Sequence, residues 1–316
     1  MVTSELLNKK YRRAYVEISN ICNLKCSFCP EVERAQQVMD AATFKRIAAD
    51  IAPLVDEVCL HLMGEPLGHP ELADIITACT EYKLPVNLTT NGMLITGHRR
   101  DLLLSPIVRQ VNISVHSFEA NFPTRDIEPY LQRVLSFARL AAELRPELYI
   151  NLRMWDQKQG ENVAESNALI RSTLEREFGV DLSVGAIDVR RRKQVRLAGR
   201  LSAHFDSRFI WPAMNLPHRS KHGFCHGLGS HFGVHADGRV VPCCLDKEAV
   251  INLGNALKTP ISEILKSQRA VNLREGFDRG ELVEDLCQRC PFISRFDRQA
   301  RRLRAQSGAS VGRPKV

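Results

Sequence analysis

Residues 14–29 read AYVEISNICNLKCSFC, and the organisation of the whole chain follows from them. Ala14 to Ser19 alternate as a half-buried strand does. The strand runs into Cys22, Cys26 and Cys29, spaced C-x3-C-x2-C. Cysteine thiolates hold iron–sulfur clusters, and a loop this short can wrap three of them around one cubane. No fourth cysteine lies nearby, so one iron would stay open, as a catalytic metal centre keeps one position for substrate. Phe28, between the last two thiols, is placed to cover a cluster and pack on a flat ligand. The alternatives are a structural zinc knuckle or three unrelated cysteines. Zinc sites, however, pair cysteines as C-x2–4-C and complete a tetrahedron, and no further ligand is evident here.

Downstream, strands and helices alternate. Strands are expected at 14–19, 57–63, 85–90, 110–116, 148–154 and 181–188. Helices are expected at 44–52 with Thr43 as cap, then at 70–82 with Pro70 in the first turn. Further helices fall near 98–104, 126–144 and 162–178. This alternation implies parallel βαβ units. About six units are too few for the usual closed eight-stranded barrel. The expected fold class is therefore α/β, a partial (β/α)6 TIM-like barrel over residues 1–188, with a small C-terminal cysteine-rich domain over 225–295. Residues 189–224 carry Phe209, Trp211, Pro212 and Pro217 and read as a bridging, substrate-facing segment. Residues 296–316 form a basic tail expected to fray. Active sites of parallel barrels lie at the C-terminal strand ends, where the informative polar residues fall.

The 316 residues are 44% hydrophobic and 25% charged, as in a soluble globular protein. No apolar run is long enough to cross a membrane. Met1 to Arg13 lack the apolar stretch of a secretory signal, so the expected location is cytoplasmic. Ten cysteines there argue for metal or redox chemistry rather than disulfides. Cys59 and Cys79 fall in apolar patterns and read as buried small hydrophobes. The net charge of +8 is concentrated at Arg190–Lys193 and in the tail from Arg298 to Lys315. It favours acidic partners, RNA among them, or marks a solvated loop and a loose tail.

The second expected strand ends in Leu62-Met63-Gly64-Glu65-Pro66. Gly64 permits close backbone approach, Glu65 can accept hydrogen bonds from an ammonium, and Pro66 stiffens the turn. Thr89-Thr90-Asn91-Gly92 ends the third. On the fourth, Asn112, Ser114 and His116 share a face. On the fifth, Asn151 and Arg153 do, and an inward Arg153 can clamp a carboxylate bidentately. Strands would aim Glu17, His61, His116 and Asp188 inward, but no general acid or base stands out. Cys225, Gly238 and Cys243 follow the spacing C-x12-G-x4-C, with Cys244 adjacent, and Cys287 and Cys290 close as C-x2-C-P. Asp237-Gly238 is a hairpin signal between 233–235 and 239–241 that brings Cys225 and Cys243 together. Four thiolates can thus close one site, with zinc the alternative metal.

The first cysteine loop resembles the signature of the radical S-adenosylmethionine (SAM) superfamily. The resemblance implies a [4Fe–4S] cluster on Cys22, Cys26 and Cys29. The amino and carboxylate groups of SAM chelate its open iron, and reductive cleavage yields a 5′-deoxyadenosyl radical. Gly64-Glu65-Pro66 resembles the superfamily's GGEP motif for the SAM amino group, with Met63 in place of the first glycine. Asn91 matches its TNG turn. Ser114 is assigned to the SAM ribose or carboxylate and Arg153 to the carboxylate. The C-terminal set resembles the SPASM/twitch extension. Its long central cysteine run is missing, which implies one auxiliary [4Fe–4S] cluster on Cys225, Cys243, Cys287 and Cys290. Cys244 is left as a spare, an alternative ligand or a substrate-facing thiol. The implied activity is hydrogen abstraction from a peptide or protein, leading to oxidation, crosslinking or epimerisation, with flavodoxin or ferredoxin as electron donor. RNA (tRNA) modification and small-cofactor maturation are the rival substrates. A non-catalytic iron–sulfur or zinc scaffold is the rival class.

Overall fold

A computed structural model describes residues 11–156, 167–183 and 193–296. One ten-stranded sheet organises them. The strands are β1 (Tyr11–Val16), β2 (Val55–Cys59), β3 (Val86–Thr90), β4 (Val108–Ser114), β5 (Tyr149–Asp156), β6 (Gln194–Ala198), β7 (Leu201–Ser207), β8 (His231–Val234), β9 (Arg239–Val241) and β10 (Gly254–Asn255). The sheet order is β10-β9-β8-β1-β2-β3-β4-β5-β7-β6. β1 to β5 and β7 are parallel neighbours, which makes the six-stranded partial barrel.

The helices are α1 (Ala41–Ile51), α2 (Leu72–Glu81), α3 (Gly97–Leu103), α4 (His116–Asn121), α5 (Glu128–Leu144), α6 (Ala168–Phe178), α7 (Ile261–Ile264), α8 (Gln268–Arg279) and α9 (Asp285–Arg289). Phe44, Ile47, Ala48 and Ile51 form the buried stripe of α1, the spacing of one helix face. Its cap is Asp40, not Thr43: the Asp40 carboxylate accepts the Thr43 N–H at 2.7 Å. Along the central strands the outward face is apolar, with Val111, Ile113, Leu152 and Met154 completely or almost completely buried. The inward face is polar. Asn112 donates to Asn87 Oδ1 at 2.8 Å, and Asn151 donates to Asn112 Oδ1 at 3.0 Å. This amide ladder satisfies the buried polar groups of the barrel floor and leaves the strand ends above it for the site.

Two expectations change. Residues 181–183 are not a strand, and 184–188, with Asp188, lie outside the described residues. The sixth parallel strand is β7, inside the segment read as a bridge over 189–224, with β6 antiparallel on its outer edge. The β8–β9 hairpin appears where Asp237-Gly238 placed it, but it joins the barrel sheet: β8 runs parallel to β1. Among the described residues no helix is long and apolar enough to cross a membrane.

Candidate active site

The cysteine loop leaves β1 and returns to α1, pinched at its base. Asn20 donates to Ala35 O at 2.8 Å and accepts the Gln37 N–H at 2.7 Å, while Met39 N–H donates to Ile18 O at 2.9 Å. Beyond Cys29 the chain is held by the C-terminal part. Glu248 accepts the N–H groups of Glu33 and Arg34, and Lys247 Nζ donates to Glu31 O at 2.6 Å. Beneath it, buried Glu17 pairs with Arg34 at 2.5 Å and accepts from Met63 N–H and Ala236 N–H at 3.2 Å each. Glu17 therefore ties four segments together and is not free for proton transfer. Within the loop, Cys29 N–H donates to Cys26 O at 3.0 Å. Cys22 and Cys29 reach solvent. Even so, the protein around the sulfur, followed by repulsion from Cys26 and Cys22, pushes the Cys29 thiol up to about 12. Desolvation likewise raises Cys22.

Gly64 adopts φ +77°, and a Cβ there would stand 2.2 Å from Ser19 O. Only glycine lets the turn lie against the start of the cysteine loop, where Glu65 N–H donates to Ile21 O at 3.0 Å. The Glu65 carboxylate joins this turn to the next. It is 2% exposed and accepts from Leu67 N–H at 3.0 Å, Thr90 Oγ1 at 2.7 Å and Asn91 N–H at 2.7 Å. Burial raises its pKa against these bonds. With three of roughly four acceptor sites filled, its carboxylate fastens the 64–66 turn to the 89–92 turn. Pro66 opens the short helical turn that follows. The second turn is closed by Tyr130, whose hydroxyl donates to Asn91 O at 2.8 Å.

A cavity of about 440 Å³ opens beside them; of the loop cysteines Cys29 lines it, whereas Cys22, Cys26, Gly64, Glu65, Pro66 and Asn91 do not. Phe28, Cys29, Ser114 and Arg153 line it on the barrel side. Phe28 packs on His116 and Trp155, with ring centroids 4.9 and 5.2 Å away. Arg153 is half-buried with its Cζ 5.6 Å from the Trp155 ring centre, and desolvation lowers its pKa. Among the described residues no carboxylate pairs with its guanidinium; Asp206, the nearest acid acting on it, is itself bound by Arg295 and Lys193. His61 also faces the cavity, with Nε2 3.1 Å from Thr89 Oγ1. His116 opens α4 and its Nδ1 bonds Arg153 O at 2.8 Å. Desolvation holds both imidazoles down to about 3, so both are neutral near pH 7.

Cys225, Cys243, Cys244, Cys287 and Cys290 line the same cavity. Cys243 follows β9, Cys287 sits on α9 and Cys290 ends it. Burial raises the thiols of Cys225, Cys243, Cys287 and Cys290. Cys243 and Cys287 are each raised further by the charge of Cys225, and Cys225 by that of Cys290, so the four are neighbours. Cys244 also acts on Cys225 and Cys243, and its thiol interacts with the Tyr15 side chain. Among the described residues no three His, Cys, Asp or Glu side chains converge closely enough to hold a single metal ion. The fit to metal rests on the donors: thiolates are soft ligands suited to iron–sulfur clusters, and ionising several crowded thiols needs a cation that shares their charge. Cys59 and Cys79 are buried apart from both sets.

Several lining residues had no sequence motif. Trp155 and Tyr15 lie on strands already expected. Asp206 comes from the unexpected β7 and binds Arg295 at 3.0 Å, which brings the 291–296 segment across the cavity. Phe209 and Trp211, read as substrate-facing, do line it.

Residues 16–154 match the radical SAM superfamily, and residues 225–291 match SPASM, an iron–sulfur cluster-binding domain. PqqA peptide cyclase of Rhodopseudomonas palustris is 27% identical over 148 residues, covering 45% of this chain and 39% of that protein. The chain therefore aligns with well under half the length of this curated relative. Streptococcus suis SuiB bound to precursor peptide SuiA has the same fold, with a TM-score of 0.59 and 15% identity over 90% of this chain and 73% of that one. So does BtrN in complex with AdoMet and 2-DOIA, at 0.56 and 17% over 90% and 94%. With a partial barrel, a three-cysteine loop at the end of its first strand and a second thiol set lining the same cavity, the chain has a radical SAM domain over residues 16–154 and a C-terminal SPASM domain over residues 225–291.

Proposed function

We propose that this enzyme modifies a peptide or protein substrate in the cavity lined by Cys29 and the second cysteine set. A radical SAM enzyme of this kind carries a [4Fe–4S] cluster, SAM and a further iron–sulfur cluster. In this reading Cys22, Cys26 and Cys29 hold the first cluster, and Cys225, Cys243, Cys287 and Cys290 hold the second. When bound, the first cluster and SAM supply the deoxyadenosyl radical that abstracts hydrogen. The chain's own residues arrange the rest. Arg153 offers to the SAM carboxylate a half-buried guanidinium that has no carboxylate partner among the described residues, with Ser114 beside it at the end of β4. Gly64 and Pro66 shape the turn against the loop. Glu65 and Asn91 lock that turn, and Phe28 packs the loop onto the wall. Trp155, Phe209 and Trp211 keep the chamber apolar and exclude water from the reacting centre.

The observation that carries the reading is this shared cavity, which both Cys29 and the second cysteine set line. The sequence likeness to a PqqA peptide cyclase and the fold of SuiB with its precursor peptide support a peptide as substrate. A cytoplasmic location and a flavodoxin- or ferredoxin-type donor belong to the same proposal. The test is anaerobic incubation of reconstituted protein with reductant, SAM and candidate precursor peptides. Expected are 5′-deoxyadenosine and a peptide whose mass reports hydrogen loss or retention. Deoxyadenosine formation stimulated by tRNA and not by peptide, with salt-dependent tRNA binding, would overturn it. The basic stretches Arg190–Lys193 and Arg298–Lys315 that motivate the RNA rival lie outside the described residues, except that Lys193 is described and pairs with Asp206.

A further inference from the structure

The cysteine loop is fastened to the barrel by Asn121, the last residue of α4. Its Oδ1 accepts the Lys25 N–H at 2.8 Å. Its Nδ2 donates to Ser117 O at 2.8 Å and to Cys26 Sγ at 3.0 Å. The orientation of this amide is fixed by its partners. The Lys25 N–H demands an acceptor and the Ser117 carbonyl demands a donor, so the NH2 faces the thiol. Asn91 does the same on the other side of the loop, more loosely. Its Oδ1 accepts Met93 N–H at 3.0 Å, while its Nδ2 donates to Asn23 Oδ1 at 2.8 Å and lies 3.8 Å from Cys22 Sγ. Among the described residues no side-chain donor reaches Cys29.

We propose that Asn121 is a positioning residue that donates its amide N–H to the Cys26 thiolate of the loaded loop and thereby raises the reduction potential of the cluster held there. The proposal rests on the loop cysteines being cluster ligands. Hydrogen bonds to ligand sulfurs tune cluster potentials. The reduced cluster carries one more negative charge, so a donor stabilises it more than the oxidised form, and a partly water-excluded site strengthens that preference. The Lys25 contact has a separate effect: it sets where the loop lies.

The test uses the full chain, reconstituted anaerobically with iron and sulfide, as Asn121→Asp and Asn121→Leu. Asn121→Asp keeps an acceptor for Lys25 N–H and removes the donor to sulfur; Asn121→Leu removes both. Electron paramagnetic resonance follows a redox titration, and the loop cluster is identified as the signal that changes on adding SAM. At a solution potential equal to the parent midpoint, the reduced-to-oxidised ratio should fall about tenfold in each variant, a shift of about 59 mV for one electron. Parent midpoints in both variants at full iron content would overturn the proposal. If only Asn121→Leu loses the cluster, the midpoint of Asn121→Asp decides. Loss from both supports the contact, because Asn121→Asp keeps the Lys25 acceptor. A parent without any SAM-responsive signal would reject the ligand assignment itself, an outcome distinct from unchanged midpoints.

Discussion

Gly64→Ala tests whether the turn after β2 sets the geometry of the cysteine loop. A Cβ at this position meets Ser19 O at 2.2 Å and Ile21 O at 3.0 Å. The Ser19 contact must open by about 0.8 Å to reach 3.0 Å, the least that Cβ contacts tolerate. The atoms that must move are backbone at the base of the loop, with Cys22 next in sequence. Alanine at positive φ costs roughly 1–2 kcal/mol, and weakening the Glu65 N–H to Ile21 O bond adds roughly 0.5–1.5 kcal/mol. If that total, about 1.5–3.5 kcal/mol, falls on the bound state, SAM affinity drops between about tenfold and a few hundredfold. Equilibrium SAM titration of the anaerobically reconstituted variant reads this directly, with iron content measured in parallel. Gly68→Ala is the control. It lies in the same turn, and its nearest neighbour would be Leu94 Cδ1 at 3.8 Å, so it should bind SAM as the parent does. A Gly64→Ala protein with parental SAM affinity and iron content would refute the argument that close backbone approach shapes the pocket.

Replacing Cys22, Cys26 and Cys29 together with Ala should abolish SAM cleavage and leave roughly four irons and four sulfides on the second cysteine set. A colourless protein holding one zinc would reject the auxiliary iron–sulfur assignment, and retained cleavage would reject the first. Arg153→Met should weaken SAM binding by about 1.5–3 kcal/mol, the worth of a charge-assisted hydrogen bond, without loss of iron; an unchanged SAM dissociation constant would remove Arg153 from the carboxylate site. His61 and His116 titrate at about 3 in the folded protein and near 6.5 when unfolded. Between those values the unfolded chain binds more protons, so stability should fall as pH drops from about 6.5 towards 3. The double variant His61→Gln/His116→Gln should show a shallower fall in urea midpoint, and an identical slope would contradict the burial of both rings.

The two cysteine sets and the Gly64 and Asn91 turns were legible because each is a short run of unusual residues at a strand end. What the sequence could not supply was direction. Glu65 beside a glycine reads as a ligand, yet nothing local showed that its carboxylate also accepts from Leu67, Thr90 and Asn91, two of them from the next strand's turn. β7 carried a signal, since Leu201, Ala203 and Phe205 alternate with polar residues, but the basic run before it and the proline-rich stretch after it pointed to a linker. The expected strand at 181–188 filled the sixth place instead. Asn121 was out of reach, because its partner Lys25 lies on the far side of three βα units and nothing local marks it.

The parallel pairing of β1 with β8 also has a bearing on biosynthesis. β1 leaves the ribosome before its partner around His231, which follows roughly ten to forty seconds later at about 5–20 residues per second. During that interval one edge of β1, including the amides of Arg12 and Glu17 that later donate to Ser230 O and Val234 O, has no strand beside it. An open strand edge is a template for aggregation. The same strand delivers the three cysteines of the first loop. The nascent chain therefore exposes its sticky edge and its oxidisable thiols together, and the edge is covered only once the C-terminal hairpin has docked.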